Sequence, residues 1–427
     1  MGPVGITLFL LFFVLLVFNL PIASALGLAS VITLLTFDLP TRVYAYTMFS
    51  ATAKFTLLAI PFFILAGMIM ERAGISRRLI DFANKSVGHL RGGLAIVTVL
   101  TSSFFAAISG SGPATVAALG SILIPAMDEE GYDKGMASAL VATSGAIGII
   151  IPPSIAFVVY GVVAQVSIGK LFIAGIVPGL LFGLSLIVMS LIVSRKYELK
   201  THKVASPKEM LISLKNAFWG LMTPIIILGG IYSGIFTPTE AAGVVVFYGL
   251  FVGFFIYKEL KVRDLFDLLV DASISSATVM LIVASASVFA WLITTQGVAN
   301  NIANAMMSLT TNPIIILLMI NIFLLVAGMF IDAISAMYIL LPIFIPILNS
   351  VGVDLTLFGV IMTVNLAIGQ VTPPVGVNLY VACGISKIGM NQISRSVVPF
   401  LIASIIALML ITYIPAIALW LPDFMGL

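Results

Sequence analysis

The stretch LAIGQVTPPVGVNLYVACG, residues 366–384, places two consecutive prolines, the second of them Pro374, inside an apolar run. A second stretch, GAIGIIIPPSIAFVVYG at residues 145–161, has the same construction around Pro153. Proline lacks a backbone N–H, and its ring collides with the carbonyl group four residues earlier, so a Pro-Pro pair interrupts a helix. Each stretch therefore predicts two half-helices that meet at a break.

A broken helix exposes backbone carbonyl and N–H groups, which the hydrocarbon of a membrane tolerates only where they line a cavity within the protein. Interrupted helices of this kind bind ions and anions in secondary transporters. Proline kinks without a nearby ligand also occur in membrane helices. The occurrence of the break twice, in equivalent places, favours a binding site.

The composition places the chain in a membrane. Of its 427 residues, 61% are hydrophobic and 9% are charged, whereas about a quarter of the residues of a soluble domain are charged. We therefore predict an all-α polytopic membrane protein embedded in a lipid bilayer, with a first span that is not a cleaved signal. The net charge of +3 is too small to indicate a nucleic-acid partner. One cysteine, Cys383, excludes an internal disulfide and most metal clusters.

Two further stretches have arms too short for a comfortable crossing, and they predict re-entrant helical hairpins. Their tips are SGSGP at residues 109–113 and GMFIDAISAM at residues 328–337. Amphipathic segments at 71–93 and 297–312 predict helices that lie in the membrane interface. We divide the chain into N-terminal scaffold helices with the first interfacial helix (1–92), the first hairpin, broken helix and following span (93–194), a cytoplasmic linker (195–215), a second scaffold part with the second interfacial helix (216–312), and the second hairpin, broken helix and a last span at about 397–420 (313–427).

The two halves resemble each other along a constant offset. Adding 221 to a position in the range 111–178 reaches its counterpart without a gap, and prolines, glycines and an aspartate coincide at turns and breaks. Examples are Gly148 with Gly369 and Pro178 with Pro399. The halves are therefore predicted to share one fold.

The distribution of basic residues predicts that the repeats are inverted. Residues 72–91 hold five Arg and Lys side chains, whereas the equivalent residues 297–312 hold none. The positive-inside rule then places all basic residues except Arg42, Lys54 and Lys170 in the cytoplasm and both chain ends in the periplasm. Inverted repeats with a site between them indicate a carrier that moves as rigid bodies rather than a channel.

Hydroxyl and carbonyl oxygens at the tips and breaks are hard ligands that suit sodium, and no transition metal or organic cofactor is predicted. The first-half sodium ligands are predicted to be Ser103, Ser109, Ser111, Gly112, Ser144, Gly145, Gly148, Ile151 and Pro152. The second-half sodium ligands are predicted to be Gly328, Asp332, Gly369, Thr372 and Pro373. The predicted substrate-binding residues are Ser111, Ser154, Asp332, Ser335, Thr372 and Asn378.

Asp332 aligns with Ser111 at the second tip. An ionisable side chain at membrane depth is by default a candidate functional residue, which could attract a cation, bind a substrate hydroxyl or take up a proton. Aspartate is also a favoured helix N-cap, and both roles are compatible. The amides Asn321, Asn365, Gln370 and Asn378 could bind substrate or join helices to one another.

The chain resembles the large membrane subunit of tripartite ATP-independent periplasmic (TRAP) transporters over essentially its whole length. The resemblance is carried by LLAIPFFILAGMIM, SGSGPATVAALGSILIPAM, GIIIPPSI, GGIYSGIFTPTEAA and GQVTPPVGVNLYVACG. It implies a sodium-coupled elevator-type importer of organic anions, such as sialic acids or four-carbon dicarboxylates, in a bacterial inner membrane. The implied partners are a small four-helix membrane subunit and a periplasmic substrate-binding protein.

The resemblance also implies which parts move. Hairpins and broken helices would form the transport domain, and the interfacial helices and remaining spans would form the scaffold. Residues 109–113 with 149–154 would hold one sodium ion, and the second hairpin with 370–376 would hold another, with the substrate between them.

Three alternatives remain open at this point. A stand-alone sodium/dicarboxylate or citrate symporter of similar architecture would need no binding protein. An intramembrane enzyme is disfavoured because the sequence has no paired catalytic carboxylates, no HExxH motif and no GxSxG motif, so we expect no enzymatic activity. A passive channel is disfavoured by the paired hairpins.

Overall fold

The computed structural model describes residues 2–200 and 203–427, and in these residues the chain is helical throughout, without a β-strand. The first half contains α1 Pro3–Val17, α2 Ile22–Thr36, α3 Arg42–Thr52, α4 Ala59–Arg72, α5 Ile75–Val87, α6 Gly93–Ser109, α7 Gly112–Glu129, α8 Lys134–Gly145, α9 Ile155–Ala164 and α10 Ile168–Ser194. Short 3-10 helices at Phe55–Leu58 and Ala146–Ile149 precede α4 and follow α8. The expectation of an all-α protein is confirmed.

The second half contains α11 Pro207–Tyr232, α12 Pro238–Phe251, α13 Asp264–Thr295, α14 Val298–Leu309, α15 Pro313–Gly328, α16 Ala333–Ser350, α17 Leu355–Gly369, α18 Val377–Ser386, α19 Met390–Ser396, α20 Val398–Tyr413 and α21 Ala416–Phe424. A π-helical segment, Val252–Ile256, continues α12. By length and composition, six helical segments of the described chain can cross a membrane, or seven if α19 and α20 form one span bent by 50°.

Both predicted interruptions are present in the structure. The helix before the first Pro-Pro pair ends in a 3-10 turn at Ile149, and α9 begins at Ile155. The second break lies between Gly369 and Val377. Both Pro-Pro peptide bonds are cis. The regular α-helical hydrogen-bond pattern stops at both positions that the sequence indicated, and turn bonds such as Thr372 N–H to the Gly369 carbonyl oxygen at 3.1 Å replace it.

Helix boundaries in the two halves follow the sequence offset closely. α7 and α16 each have 18 residues, and they begin at Gly112 and Ala333, which are 221 positions apart. α8 and α17 begin at Lys134 and Leu355, also 221 positions apart. The inverted orientation of the halves relative to a membrane remains a prediction.

The two hairpins pack differently. α6 and α7 lie against each other, whereas α15 packs chiefly against α17, and α16 packs chiefly against α13. The rings of Phe323 on α15 and Phe344 on α16 meet edge to face with centroids 5.9 Å apart. α15 and α16 therefore contact each other less than α6 and α7 do.

The structure adds detail at two boundaries that the sequence left approximate. The linker assigned to 195–215 is partly helical, because α11 begins at Pro207 with a capping box in which Ser206 and Glu209 bond each other's backbone N–H groups. The last span is not one helix over 397–420: α20 ends at Tyr413, and α21 begins after Pro415. A proline favours a helix start and disfavours its continuation, which explains both differences.

Most of the helices fall into two groups, which contact each other through α13 with α16 and α4 with α6, and α14 contacts members of both groups. The first group contains α1–α4 and α11–α13, in which α4 packs on α12 and α2 packs on α13. The second contains α6–α10 and α15–α21, in which α7 contacts α18 and α10 lies against α6 and α20. The division into a scaffold and a transport domain remains a prediction. Amphipathic α5 contacts α11 of one group and α6 of the other.

Candidate ion and substrate site

A cavity of about 480 Å³ lies where the two groups of helices meet, and we call it the tip cavity. Both hairpin tips border it, the first through Ser109 to Pro113 and the second through Asp332 to Ile334. Gln370, at the second break, also borders it. The opposite wall comes from α4 and α13 and comprises Ile64, Gly67, Met68, Glu71, Ser275, Val279 and Ile282. The fold thus brings elements from both halves to one cavity.

The first tip is held against the first break by its backbone. Gly110 adopts a left-handed conformation with φ 59°, and a Cβ atom there would lie 3.0 Å from the carbonyl oxygen of Pro153. The N–H of Ile155, the first residue of α9, donates to the Gly110 carbonyl oxygen at 3.5 Å. Glycine satisfies both the positive φ and the close approach. The SGSGP tip is therefore fixed directly on the half-helix that begins after the prolines.

Several oxygens converge at the first tip. The hydroxyls of Ser109 and Thr115 lie 2.9 Å apart, and the Thr115 hydroxyl donates to the Ser111 carbonyl oxygen at 2.8 Å. Gly148 approaches this group closely, because a Cβ atom there would lie 2.7 Å from the Ser111 carbonyl oxygen. Hydroxyl and carbonyl oxygens are the ligands that hard cations prefer. The residues present fit a sodium ion.

Asp332 caps the second tip. Its carboxylate accepts hydrogen bonds from the N–H groups of Ile334 at 2.9 Å and Ser335 at 3.0 Å, and the Ser335 hydroxyl donates to its other oxygen. The predicted N-cap role is therefore confirmed. The equivalent residue at the first tip, Ser111, precedes α7 without a side-chain capping bond. One helix start at the cavity already has a carboxylate beside it, and the other does not.

The second break also has unusually close backbones. A Cβ atom on Gly369 would lie 2.6 Å from the carbonyl oxygen of Gly328, so α15 and α17 touch through bare backbone at their ends. The Thr372 hydroxyl donates to the Ile368 carbonyl oxygen at 2.6 Å, within the end of α17. Carbonyl oxygens of the helix end therefore stand close to the second tip.

Two amide oxygens near the α7 start have no hydrogen-bond partner among the described residues. They belong to Gln370 and Asn378, and a Cβ atom on Gly112 would meet both side chains. Asn378 is fully buried, and its amide nitrogen donates to the Ala142 carbonyl oxygen of α8 at 3.1 Å. The second break is thus tied to the first half, and two acceptors remain open for a donor or a cation.

The predicted site residues fall into two sets. Those bordering the tip cavity are Ser109, Ser111, Gly112 and Asp332. Those packed behind the tips and breaks, away from the cavity surface, are Ser103, Ser144, Gly145, Gly148, Ile151, Pro152, Ser154, Gly328, Ser335, Gly369, Thr372, Pro373 and Asn378.

Three members of the second set differ in the hydrogen bonds that their hydroxyls make. The Ser154 hydroxyl donates to the Ile149 carbonyl oxygen at 2.6 Å and caps α9, so it stabilises the break itself. Ser103 donates to the Val99 carbonyl oxygen of its own helix at 2.9 Å. The Ser144 hydroxyl, in contrast, is buried without a hydrogen-bond partner, which leaves it available to an ion.

Sequence reasoning missed several residues of the site. Thr115 lies one turn after the first tip, and its spacing from Ser111 in SGSGPAT was the available signal. Gly67, Glu71 and Ser275 border the cavity from α4 and α13. A carboxylate at the end of an apolar run gave a signal for Glu71, whereas nothing in the sequence indicated which face of α13 meets the tips.

The chain matches known families and proteins over nearly all of its length. Residues 9–417 match the model of the family described as "Tripartite ATP-independent periplasmic transporter, DctM component". The chain is 49% identical to the isethionate TRAP transporter permease protein DctMQ of Oleidesulfovibrio alaskensis, covering 97% of this chain and 65% of that protein. It is 45% identical to the C4-dicarboxylate TRAP transporter large permease protein DctM of Pseudomonas aeruginosa, covering 94% and 95% respectively.

A sialic acid TRAP transporter large permease protein, SiaM of Vibrio cholerae, is 40% identical over 90% of each chain. Among solved structures, the YdaH transporter of Alcanivorax borkumensis is similar with a TM-score of 0.59 at 14% identity, covering 89% of this chain and 87% of that one. The likeness to the YdaH transporter concerns the fold alone. The relatives are named as permeases, which agrees with the expectation that the chain is not an enzyme.

Proposed function

The chain belongs to the DctM component family of tripartite ATP-independent periplasmic transporters, and we propose that it imports an organic anion across the bacterial inner membrane by sodium-coupled secondary transport. In this proposal the second group of helices moves against the first as an elevator. A periplasmic binding protein delivers the substrate, and a small four-helix membrane subunit braces the first group.

One observation carries the proposal: both hairpin tips border a single cavity between the two groups of helices. A carrier needs a site that each side of the membrane can reach in turn, and such sites lie where interrupted helices from two repeats meet. The tip cavity occupies this position, and two helix breaks stand behind it.

The first sodium ion is assigned to the oxygens around Ser109, Ser111 and Thr115, whose mutual distances are those of a compact oxygen cluster. The second is assigned to the carbonyl groups at Gly328 and Gly369 with Asp332. Bound sodium supplies positive charge beside the substrate's anionic group. The protein's own contribution is to hold these oxygens rigidly, through close glycine contacts at Gly148 and Gly369.

The anion itself is assigned to the tip cavity, beside Ser111. The start of α7 lacks a side-chain cap there, and helix starts favour negative charge. The named relatives carry isethionate, C4-dicarboxylates and sialic acid. The candidate substrates are therefore sialic acid and four-carbon dicarboxylates, with isethionate added by the relative of 49% identity.

The test is uptake into proteoliposomes that contain this chain and its small subunit. Labelled sialic acid, succinate and isethionate are supplied in turn, with and without a sodium gradient and with and without the matching binding protein. Accumulation that requires both sodium and the binding protein would support the tripartite symporter. Equal uptake without the binding protein would instead assign a stand-alone sodium symporter, and uptake that never exceeds equilibrium would assign a channel.

A further inference from the structure

A second cavity adjoins the tip cavity, and we call it the polar vestibule. It also has a volume of about 480 Å³, and it shares Met68 and Glu71 with the tip cavity. Its lining consists of Met68, Glu71, Arg72, Gly74, Ser76, Arg77, Ala118, Ser121, Glu259, Asp267, Leu268 and Asp271. The two cavities therefore meet at one stretch of α4.

The helix faces that line the two cavities are continuous. On α7, Ala117 borders the tip cavity, and Ala118 and Ser121 border the vestibule. On α13, Ser275 borders the tip cavity, and Asp271, one turn earlier, borders the vestibule. Residues one turn apart lie on the same face of a helix. A path therefore runs from the hairpin tips, between the two groups of helices, to the ends of α4 and α5.

The charges along the vestibule are mostly unpaired. Arg78, nearby, forms an ion pair with Glu259 at 2.6 Å, and its guanidinium lies 3.8 Å from the ring centroid of Tyr257. Arg72 and Arg77 have no ion-pair partner among the described residues. Arg77 thus remains without an ion-pair partner among the described residues, whereas the charge of Arg72 also acts on the neighbouring Glu71 carboxyl.

A buried hydroxyl adds an independent sign of a ligand. Ser76 is 5% exposed, borders the vestibule between the two arginines in sequence, and its hydroxyl has no hydrogen-bond partner among the described residues. A buried polar group without a partner is unfavourable unless a ligand or water supplies one. Serine and arginine donors together are suited to a carboxylate or a sulfonate.

We propose that the polar vestibule is a second anion-binding site, in which Arg72, Arg77 and the Ser76 hydroxyl hold the carboxylate or sulfonate of the transported anion after it leaves the tip cavity. Asp267 and Asp271, also without ion-pair partners among the described residues, border the same space from α13. Glu71 borders it as well. Like charges disfavour the bound anion, so these three carboxylates oppose tight binding, as a release site requires. The role as a release site rests on the proposed function, whereas anion binding does not.

The test uses the charge selectivity of a single cysteine in the vestibule. Ser121→Cys is introduced with Cys383→Ser, which removes the native cysteine, and the purified protein is labelled with an anionic sulfonate and a cationic methanethiosulfonate reagent of similar size. We expect the ratio of anionic to cationic labelling rates to fall about tenfold when Arg72→Gln and Arg77→Gln are added. Added isethionate should slow anionic labelling in the parent and not in the arginine variant.

Arg91→Gln is the matched control, because this residue carries the same charge and does not border either cavity. It should leave the ratio unchanged. If Arg72→Gln and Arg77→Gln together leave the ratio of anionic to cationic labelling rates unaltered, the proposal is overturned. If phosphatidylglycerol suppresses anionic labelling through the arginines and isethionate does not, they bind lipid headgroups, which overturns it as well.

The measurement needs no transport, so its outcome is separable from the proposed function. In proteoliposomes that do transport, the half-saturating internal anion concentration for exchange should rise about tenfold in Arg77→Gln. The half-saturating external concentration should stay as in the parent. A merely structural role for Arg77 would change both sides alike, and that result would also overturn the proposal.

Discussion

Gly328 and Gly369 touch through their backbones, at the point where the second hairpin tip meets the second helix break: a Cβ atom on Gly369 would lie 2.6 Å from the carbon and oxygen of the Gly328 carbonyl. Atoms at that distance overlap, and the neighbour is backbone, which cannot rotate away. The contact therefore fixes how closely α15 and α17 approach, and with it the carbonyl groups assigned to the second sodium ion.

Replacing Gly369 by alanine should force α15 and α17 apart. We expect Gly369→Ala to lower stability by about 1–3 kcal/mol, as overpacking does, and to abolish sodium-driven uptake. Thermal unfolding in detergent and proteoliposome uptake measure the two effects. Gly384→Ala is the control, since a Cβ atom there has open space and α18 gains helix propensity; equal losses in both variants would contradict the argument.

The breaks and tips were predictable because their signals are local. Two prolines must interrupt a helix wherever the chain places them, and the structure has helix ends on both sides of Pro153 and Pro374. The N-cap at Asp332 follows from the same kind of local chemistry. Helix boundaries that depend on packing were not predictable. The polar residues before α11 were predicted to be a linker, although Ser206 and Glu209 cap a helix there.

Removing the Thr115 hydroxyl should weaken the first sodium site. Its oxygen lies 2.9 Å from the Ser109 hydroxyl and 2.8 Å from the Ser111 carbonyl oxygen. We expect Thr115→Val to raise the half-saturating sodium concentration of uptake about tenfold, whereas Thr115→Ser keeps it near the parent value.

The control for this prediction is Thr143→Val. Thr143 is fully buried, and its hydroxyl donates only to the Ala139 carbonyl oxygen of its own helix at 2.7 Å. Sodium titrations of uptake should therefore separate the two threonines. An unchanged sodium dependence in Thr115→Val would remove this residue from the ion site.

The wall of the tip cavity that α4 and α13 form could not be predicted from sequence patterns. Gly67 stands in the apolar part of α4, and Ser275 stands among other serines of α13 such as Ser273 and Ser276, so neither differs from its neighbours until the helices are packed. In a membrane protein the outer surface is as apolar as the core, and hydrophobic periodicity loses its power to tell one face from another. Tertiary contact alone identifies this wall.

A cysteine at Ala117 should report whether the tip cavity is accessible to substrate. Ala117 borders the cavity from α7. In a Cys383→Ser background, we expect Ala117→Cys to react with a small thiol reagent and to be protected at least about twofold by transported anion plus sodium. Ala139→Cys, at a fully buried position on α8, should not react. Protection absent for every anion that the complex accumulates would place the substrate elsewhere.

A substitution at Asp332 can separate its role as a helix cap from its proposed role in cation binding. Asparagine is as good an N-cap as aspartate, so Asp332→Asn should keep the acceptor for the N–H groups of Ile334 and Ser335 and change stability by less than about 0.5 kcal/mol. The negative charge at the cavity is lost, however, and an ionisable side chain at membrane depth can attract a cation there. We therefore expect sodium-driven accumulation to fall by at least about tenfold across pH 6–8.

Asp354→Asn is the matched control for this substitution. Asp354 caps α17 by accepting from the N–H of Leu357 at 2.9 Å, in the same way as Asp332 caps α16, and it does not border the tip cavity. Uptake assays at several pH values and unfolding midpoints for both variants show whether Asp332 acts in transport as well as in capping α16. If Asp332→Asn transports as well as Asp354→Asn at every pH, Asp332 acts as a helix cap alone, and the second sodium ion must be held by backbone oxygens without a carboxylate.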